Sequence, residues 1–221
     1  MNDEVRPNTF ALVAFDMDGV LVDTSPCHAK AYQDLWLELG LVGPPYETIA
    51  GQRTIDVVRV VTAPHELSTE ALRAWTRFKQ ERARHYLSEA PITFPDTMQC
   101  LGAMARHQQP LALATGASRR TVELVLRRLG AEELFPIVIT SEDVTAGKPS
   151  PEVFTTAFAR AGVDPTDALV VEDSPSGLRA GIDAGARCVS VRSGLTMNTP
   201  RFLGAYADLA SLLPLLGADG A

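Results

Sequence analysis

The sequence has few cysteines, fewer basic than acidic residues, and no long apolar segment. Its three cysteines, Cys27, Cys100 and Cys188, are too few and too widely spaced for a disulfide framework or a set of metal ligands. We therefore expect reduced thiols and a cytoplasmic protein. No apolar stretch approaches the length that crosses a bilayer, and the polar residues 1–9 lack the apolar region of a signal peptide.

The shortage of basic residues limits the class of partner. Lysine and arginine number 20 against 27 acidic residues, which gives a net charge of -7. This balance argues against a nucleic-acid-binding surface. Acids and bases are mixed along the chain, and 46% of the residues are hydrophobic, enough for a substantial core. We expect a protein that binds neither nucleic acid nor membrane, as a monomer or weak homodimer.

Short apolar runs rich in β-formers alternate with helical patterns. The predicted strands are 11–15, 111–114, 137–140, 168–171 and 188–191. Helices are expected to begin at 118, 150 and 174, where serine caps recur, and a short terminal helix is expected over 208–216. This alternation predicts an α/β fold, with a Rossmann-like parallel sheet and right-handed crossovers.

A long segment after the first strand interrupts this alternation. Residues 24–91 contain no convincing strand, but have helical patterns over 25–39, 54–61 and about 69–88. We interpret the segment as an inserted all-helical cap domain. The α/β catalytic core then comprises residues 1–23 and 92–221, with hinges where the chain crosses between the two parts.

Polar residues cluster where the predicted strands end. They are Asp16 and Asp18 after the first strand, Thr115, Gly116 and Ala117 after the second, Lys148 beyond the third, and Glu172 and Asp173 after the fourth. Because the carboxyl ends of parallel strands meet at one edge of a sheet, we expect one cleft to hold them. Each residue alone has a plainer interpretation, such as a helix cap or a surface lysine, but their recurrence at strand ends favours a site.

This set of side chains suits phosphoryl transfer. An aspartate such as Asp16 can form an aspartyl-phosphate, and a second carboxyl, Asp18, can protonate the leaving oxygen and then activate water. Mg²⁺ and Lys148 would neutralise the negative charge. The Thr115 hydroxyl and the N–H groups of Gly116 and Ala117 would hold phosphate oxygens at a helix start.

Four segments make the resemblance to a known family specific. They are 16–23 (DMDGVLVD), 114–116 (ATG), 147–154 (GKPSPEVF) and 171–177 (VEDSPSG), which resemble the four motifs of the haloacid dehalogenase superfamily. The helical insert resembles the cap of the subgroup that contains phosphoglycolate phosphatase and β-phosphoglucomutase. The resemblance extends from about residue 10 to 213.

The resemblance assigns a role to each motif residue. It implies that Asp16 is the nucleophile and Asp18 the general acid/base, and that Thr115 and Lys148 hold the phosphoryl group. It also implies a set of Mg²⁺ ligands: Asp16, the carbonyl of Asp18, and Asp173, with Glu172 close by. The motifs specify this chemistry well and the substrate poorly.

Residues of the cap would select the substrate. His28 begins an apolar stripe on the first cap helix, and it is either a core histidine or a residue that reaches the cleft. Arg53 lies in a loop that family members use to meet substrate, and we expect it to bind substrate. Lys79 and Arg82, on the third cap helix, are expected on a solvated face.

In the core, Gly177 and Gly181 share one face of a predicted helix. This spacing predicts that the helix packs closely on a neighbouring element.

The leading functional hypothesis is a Mg²⁺-dependent phosphatase that acts on a small phosphorylated metabolite, either a sugar phosphate or a phosphoglycolate-like compound. The alternative is a phosphosugar mutase. The mutases are expected to have a lysine four residues before a tyrosine of the cap. If Tyr86 is that tyrosine, the position of the lysine is occupied by Arg82, which favours the phosphatase.

Other protein classes fit the sequence less well. A dehalogenase would lack Asp18. A receiver domain would have a different motif order, and an inactive binding protein would have lost a motif residue.

Overall fold

A computed structural model describes residues 10–218, with six parallel strands in the order β3-β2-β1-β4-β5-β6. The strands are β1 (Leu12–Phe15), β2 (Leu111–Ala114), β3 (Ile137–Ile139), β4 (Ala168–Glu172), β5 (Arg187–Val191) and β6 (Phe202–Tyr206). The predicted Rossmann-like α/β fold is confirmed, and the five predicted strands lie within one residue of the observed bounds. The expectation for residues 1–9 lies outside the described part of the chain.

The burial of each strand explains whether it could be predicted from the sequence. Strands β1, β2 and β4 lie inside the sheet, are buried at every residue, and have continuous apolar sequences. Such runs are typical of parallel strands covered on both faces. The unpredicted β6 is an edge strand that reads Phe-Leu-Gly-Ala-Tyr and alternates between half-buried and exposed residues. Its sequence therefore lacks an extended apolar run.

Helices cover both faces of the sheet. The helices α5 (Thr97–Arg106) and α6 (Arg119–Leu129) contribute to one apolar cluster, and α7 (Glu152–Ala161) and α8 (Pro175–Asp183) to the other. The sequence reading had no helix at α5. The expected short terminal helix over 208–216 is present as a 3₁₀ helix, Ala210–Leu216, with Pro214 inside it.

The predicted helical cap is present as four helices between β1 and α5. They are α1 (Ser25–Leu39), α2 (Tyr46–Ile49), α3 (Thr54–Val61) and α4 (Thr69–Glu89). They enclose their own apolar cluster, which includes Tyr32, Leu35 and Trp36. The domain limits 1–23, 24–91 and 92–221 stay a prediction. We refer to α1–α4 and their connecting loops as the cap.

The two chain crossings between core and cap lie side by side. Val22 and Thr93 form an antiparallel bridge, and the Asp23 N–H donates to the Ile92 carbonyl at 2.7 Å.

The three cysteines are buried and unpaired. Within residues 10–218, no helix combines the length and the apolar character needed to span a bilayer.

Candidate active site

The carboxyl ends of the central strands bring the predicted core residues together. Asp16 directly follows β1, Thr115 follows β2, and Glu172 ends β4. The Lys148 Nζ atom donates to Asp16 Oδ1 and to Glu172 Oε1, both at 2.6 Å, and to the Ala114 carbonyl at 3.1 Å. Residues far apart in sequence thus form one buried ionic network.

Burial makes this network electrostatically unusual. Burial raises the pKa of the Asp16 carboxyl to about 7; Lys148 opposes this rise, and the carboxylates of Glu172 and Asp18 add to it. Burial alone would lower the pKa of the Lys148 amine, but Asp16 and Glu172 outweigh it and hold that pKa above its ordinary value. Lys148 therefore stays a cation between the two carboxylates.

Glu172 has both carboxylate oxygens engaged within the protein. Oε1 accepts from Lys148, while Oε2 accepts from the backbone N–H of Asp173 and from the N–H and hydroxyl of Ser174. A Cβ at Gly177 would lie 1.7 Å from Oε1, so only glycine leaves room for this carboxylate. The predicted close packing at Gly177 is therefore confirmed. Glu172 fixes both Lys148 and the first turn of α8.

The predicted phosphate-binding loop has the geometry of a helix start. The Ala117 N–H donates to the Thr115 Oγ1 atom at 3.1 Å, and Ser118 precedes α6 as its N-cap residue. At Gly116, a Cβ would lie 2.9 Å from the Gly51 carbonyl of the cap. The cap loop therefore rests directly on the loop that follows β2.

Asp18 faces a chain of cap residues. The Thr24 hydroxyl donates to Asp18 Oδ1, and His28 Nε2 lies 3.5 Å from the same oxygen. On its other side, His28 Nδ1 is 2.8 Å from the Lys79 Nζ atom. Burial raises the pKa of Asp18, but His28 and the hydrogen bonds from His28 and Thr24 outweigh it and hold that pKa below its ordinary value.

The expectation for Lys79 was wrong. Its side chain does not face solvent: only 3% of the residue is exposed, and its Nζ atom lies 4.2 Å from the centre of the Tyr32 ring. Burial lowers the pKa of this amine to about 7. Burial also lowers the pKa of His28, with a further contribution from Lys79, while Asp18 opposes both. Lys79, which sequence reasoning set aside, is thus the lysine that the cap contributes to the site, in addition to Lys148 of the core.

Arg82 lies on the solvated side that the sequence indicated, and Arg53 contacts the core. Arg82 points away from the site and donates to Asp34 at 2.6 Å, so it says nothing about the mutase alternative. Arg53 is 9% exposed, but its guanidinium donates to Asp56 and to the Val144 carbonyl of the core. Arg53 connects the start of α3 to the core, and it is not among the residues that line the chamber described in the next paragraph.

A small chamber lies between the core motifs and the cap, with a volume of about 30 Å³. Its lining includes Asp16, Asp18, Thr115, Gly116 and Ala117 from the core, and His28, Tyr32, Tyr46, Ile49, Gly51, Gln52, Thr54 and Lys79 from the cap. That volume holds only about two water molecules. A phosphorylated metabolite can therefore enter only when the cap moves away from the core.

Three oxygen-bearing side chains lie close enough to share a cation. Carboxylate oxygens of Asp16, Glu172 and Asp173 all lie within 4.8 Å of one another. Burial raises the pKa of Asp173 to about 9, and repulsion from Glu172 and Asp16 adds to the rise. Asp173 also abuts Gly19, where a Cβ would lie 2.0 Å from its Oδ2 atom. Crowded carboxylates with hard oxygen donors fit a divalent cation.

Comparisons with known proteins decide the family. Residues 10–185 match the family model of the haloacid dehalogenase-like hydrolases. This chain belongs to that family. It is 31% identical to fructose-1-phosphate phosphatase YqaB of Escherichia coli strain K12 over 195 residues, which cover 83% of this chain and 97% of that protein. The phosphorylated carbohydrates phosphatase of Thermotoga maritima is also 31% identical, over 78% of this chain and 81% of its own length.

Solved structures agree with this family assignment. CbbY from Rhodobacter sphaeroides, determined in complex with phosphate, matches with a TM-score of 0.81 and 26% identity, over 94% of this chain and 99% of CbbY. The resemblance found in the sequence is thereby confirmed, as is the expected enzyme class, a phosphoric monoester hydrolase. Phosphatases of this family generally use a divalent metal, and the acidic cluster at the strand ends is suited to one.

Three residues of the site were missed by sequence reasoning: Lys79 and Tyr46, which line the chamber, and Thr24, which donates to Asp18. The buried positions of α4 are Thr76, Lys79, Ala83 and Leu87, which follow helical spacing. That spacing placed Lys79 on the packed face. The signal was weak because this face of α4 contains few large apolar residues.

Proposed function

We propose that this protein is a Mg²⁺-dependent phosphatase that hydrolyses a small phosphorylated metabolite, preferably a sugar phosphate, through an aspartyl-phosphate at Asp16. The observation that carries the proposal is the buried contact between Lys148 and Asp16, within reach of Asp18 and the phosphate-binding loop. The relatives named above include phosphatases of fructose 1-phosphate and of phosphorylated carbohydrates, which supports a sugar phosphate as substrate.

In the first step, a carboxylate oxygen of Asp16 attacks phosphorus and the bond to the leaving oxygen breaks. Lys148 keeps Asp16 ionised and correctly oriented, while the Thr115 hydroxyl and the N–H groups after it bind the phosphoryl oxygens. Asp18 donates a proton to the leaving oxygen. The negatively charged substrate raises the pKa of Asp18, which favours its protonated form when the substrate is bound.

In the second step, Asp18 takes a proton from a water molecule whose oxygen attacks phosphorus. The Asp16–phosphorus bond breaks and inorganic phosphate leaves, so both carboxyl groups return to their starting state. Asp16, the Asp18 carbonyl and Asp173 would hold the Mg²⁺ ion, while Glu172 orients Lys148 nearby. When bound, the ion supplies positive charge that offsets repulsion between the phosphoryl group and the carboxylates.

The cap completes the site around the leaving group. His28 Nε2 is buried, lines the chamber and lies 3.5 Å from Asp18 Oδ1, so it can reach a substrate hydroxyl beside the general acid. Lys79 lies behind His28 and sets its orientation. We assign substrate choice to His28, Tyr46 and Gln52, and we no longer assign it to Arg53.

A phosphosugar mutase is the second candidate. The observation that favours it is the small chamber beneath the cap with a buried lysine-histidine pair, because a mutase must limit the access of water while it returns the phosphoryl group to the sugar. Conversion of β-glucose 1-phosphate to glucose 6-phosphate, without release of inorganic phosphate, would favour the mutase. Rapid release of inorganic phosphate would favour the phosphatase.

The proposal is tested by phosphate release from a panel of phosphorylated metabolites with Mg²⁺ present. We expect activity that EDTA abolishes, and that Mg²⁺ restores. Asp16→Asn should remove turnover because an amide does not attack phosphorus. Asp23→Asn, a change at an exposed residue of the same motif, should leave turnover unchanged. Substantial activity in pure Asp16→Asn would contradict the mechanism.

A further inference from the structure

Arg192 directly follows β5 and adopts an unusual backbone conformation. Its φ angle is 63°, in the left-handed region that favours glycine. Its N–H donates to the Tyr206 carbonyl of β6 at 2.9 Å. A residue other than glycine is strained at this φ angle, and such strain persists only where the surrounding contacts hold the residue in place. The contacts of the Arg192 side chain are therefore of interest.

The guanidinium of Arg192 makes three kinds of contact. It lies 3.7 Å from the centre of the Phe94 ring, and Nη2 donates to both carboxylate oxygens of Asp96 at 2.9 and 3.0 Å. Its Nε atom donates to the Val20 carbonyl at 3.2 Å. The side chains of Arg192 and Asp96 are only 16% and 15% exposed. The planar, five-donor guanidinium is required for this combination, and a lysine could not reproduce it.

These contacts connect the two places where the chain passes between core and cap. Val20 belongs to the turn of residues 17–22, in which the N–H groups of Val20, Leu21 and Val22 donate to the Met17 carbonyl. Asp18 is part of that turn. Phe94 and Asp96 lie just after the chain returns from the cap to the core. Arg192 therefore joins the turn that carries Asp18 to the returning segment.

We propose that Arg192 is a positioning residue that sets the location of Asp18 and the core side of both crossings. The proposal rests on the proposed function, in which Asp18 is the general acid and base. Arg192 touches neither Asp16 nor Lys148, so its loss leaves the nucleophile and the phosphate-binding loop in place. Loss of the Arg192 side chain should therefore slow proton transfer from Asp18 to the leaving oxygen more than it slows the attack of Asp16 on phosphorus.

The test compares two leaving groups. p-Nitrophenolate leaves without much protonation, whereas an alkyl leaving group such as that of glycerol phosphate needs a proton from Asp18. The comparison uses kcat/KM, which reports formation of the aspartyl-phosphate, because hydrolysis of that intermediate is common to both substrates. We expect Arg192→Lys to lower kcat/KM on glycerol phosphate by about tenfold or more, and kcat/KM on p-nitrophenyl phosphate by less than about threefold. Arg192→Gly removes the side chain while relieving the backbone, which provides a second variant that should fold.

A matched control is present on the same strand. Arg187 begins β5 and stacks on the Phe10 ring at 4.5 Å, away from the turn of residues 17–22. Arg187→Lys should show no difference between the two substrates. Equal losses on both substrates in the Arg192 variants, or the same selective loss in Arg187→Lys, would overturn the proposal.

Asp18→Asn, measured in parallel, separates this proposal from the proposed function. Equal loss of kcat/KM on both substrates in that variant would overturn the acid/base role of Asp18 and the present proposal with it. A selective loss in Asp18→Asn without one in either Arg192 variant would overturn the role of Arg192 alone.

Discussion

Among single residues, Lys79 combines a function in the site with a cost to stability. Because burial lowers its pKa from 10.5 to about 7, the folded protein binds this proton less tightly than the unfolded chain does. The free energy of unfolding therefore includes a penalty of roughly 4 kcal/mol at or below pH 7, which disappears as the pH rises towards 10.5. The site retains a group that weakens the fold.

We therefore predict that Lys79→Met is more stable than the wild type at pH 7 and less active. Thermal unfolding should show a gain that shrinks when the measurement is repeated near pH 10. Lys30→Met, a change at an exposed lysine of the same cap, should shift stability little at either pH. A loss of stability in Lys79→Met at pH 7 would show that the amine contributes favourable contacts instead.

Gly177 gives a second prediction, because Glu172 occupies the space where a Cβ would be. Alanine usually stabilises a helix interior by up to ~1 kcal/mol, but here it must displace a carboxylate that holds Lys148. We expect Gly177→Ala to lose about 1–3 kcal/mol of stability and most of its activity. In Gly102→Ala on α5, the nearest atom lies 3.7 Å from the new Cβ, so this control should be neutral or stabilising.

The residues that the sequence identified well are those in the core motifs. Asp16, Thr115 and Asp173 directly follow strands, and Lys148 lies in the loop beyond β3; the topology of a parallel sheet brings such positions together. Positions in the cap have no equivalent rule. Their side chains reach the site through helix packing, and helix packing depends on a tertiary arrangement that periodicity alone does not determine.

Among the elements, the C-terminal end of α4 has an anchor on the core. The Arg128 guanidinium, on α6, donates to the Ala90 carbonyl at 2.8 Å and to the Leu87 carbonyl. These are carbonyls at a helix end, which lack partners within the helix. Arg128 thus holds the end of the cap helix nearest to the second crossing.

We predict that Arg128→Gln loosens this end of α4. Amide hydrogen exchange should become faster for residues near 87–92 and remain unchanged in the central strands. The free energy of unfolding should fall by about 1–2 kcal/mol. The side chain of the neighbouring Arg127 has no hydrogen bond or ion pair in the described structure, so Arg127→Gln is the matched control, expected within about 0.5 kcal/mol of the wild type. Identical exchange in both variants would contradict the anchor.

Helices and strands were predicted correctly from the sequence where the apolar pattern of buried residues agreed with local start and stop residues. The helix α1 begins at a Ser-Pro pair and ends at Gly40 with φ 66°, and both signals were visible in the sequence. The edge strand β6 and the 3₁₀ turn around Pro214 lacked such agreement. Their conformations depend on the edge of a sheet and on contacts with α5, which the local sequence does not encode.

At the scale of the whole molecule, a divalent cation should stabilise the fold as well as support activity. Mg²⁺ would relieve repulsion among the carboxylates of Asp16, Asp18 and Asp173, and a ligand at one hundred times its Kd adds about 2.7 kcal/mol. We predict a higher Tm in Mg²⁺ than in EDTA. Asp173→Asn should remove that difference while keeping the Tm in EDTA, and Asp23→Asn should retain it. An unchanged Mg²⁺ response in Asp173→Asn would rule out Asp173 as a ligand.

The central claim is that Asp16 becomes phosphorylated during turnover. The most direct measurement is mass spectrometry of the peptide that contains Asp16, after rapid acid quenching of the enzyme with substrate and Mg²⁺. Asp18→Asn should accumulate the intermediate because its hydrolysis is slowed. The account predicts one added phosphoryl group on Asp16 in that variant, and none in Asp16→Asn. Turnover without a phosphorylated Asp16, or a phosphoryl group on a different residue, would contradict it.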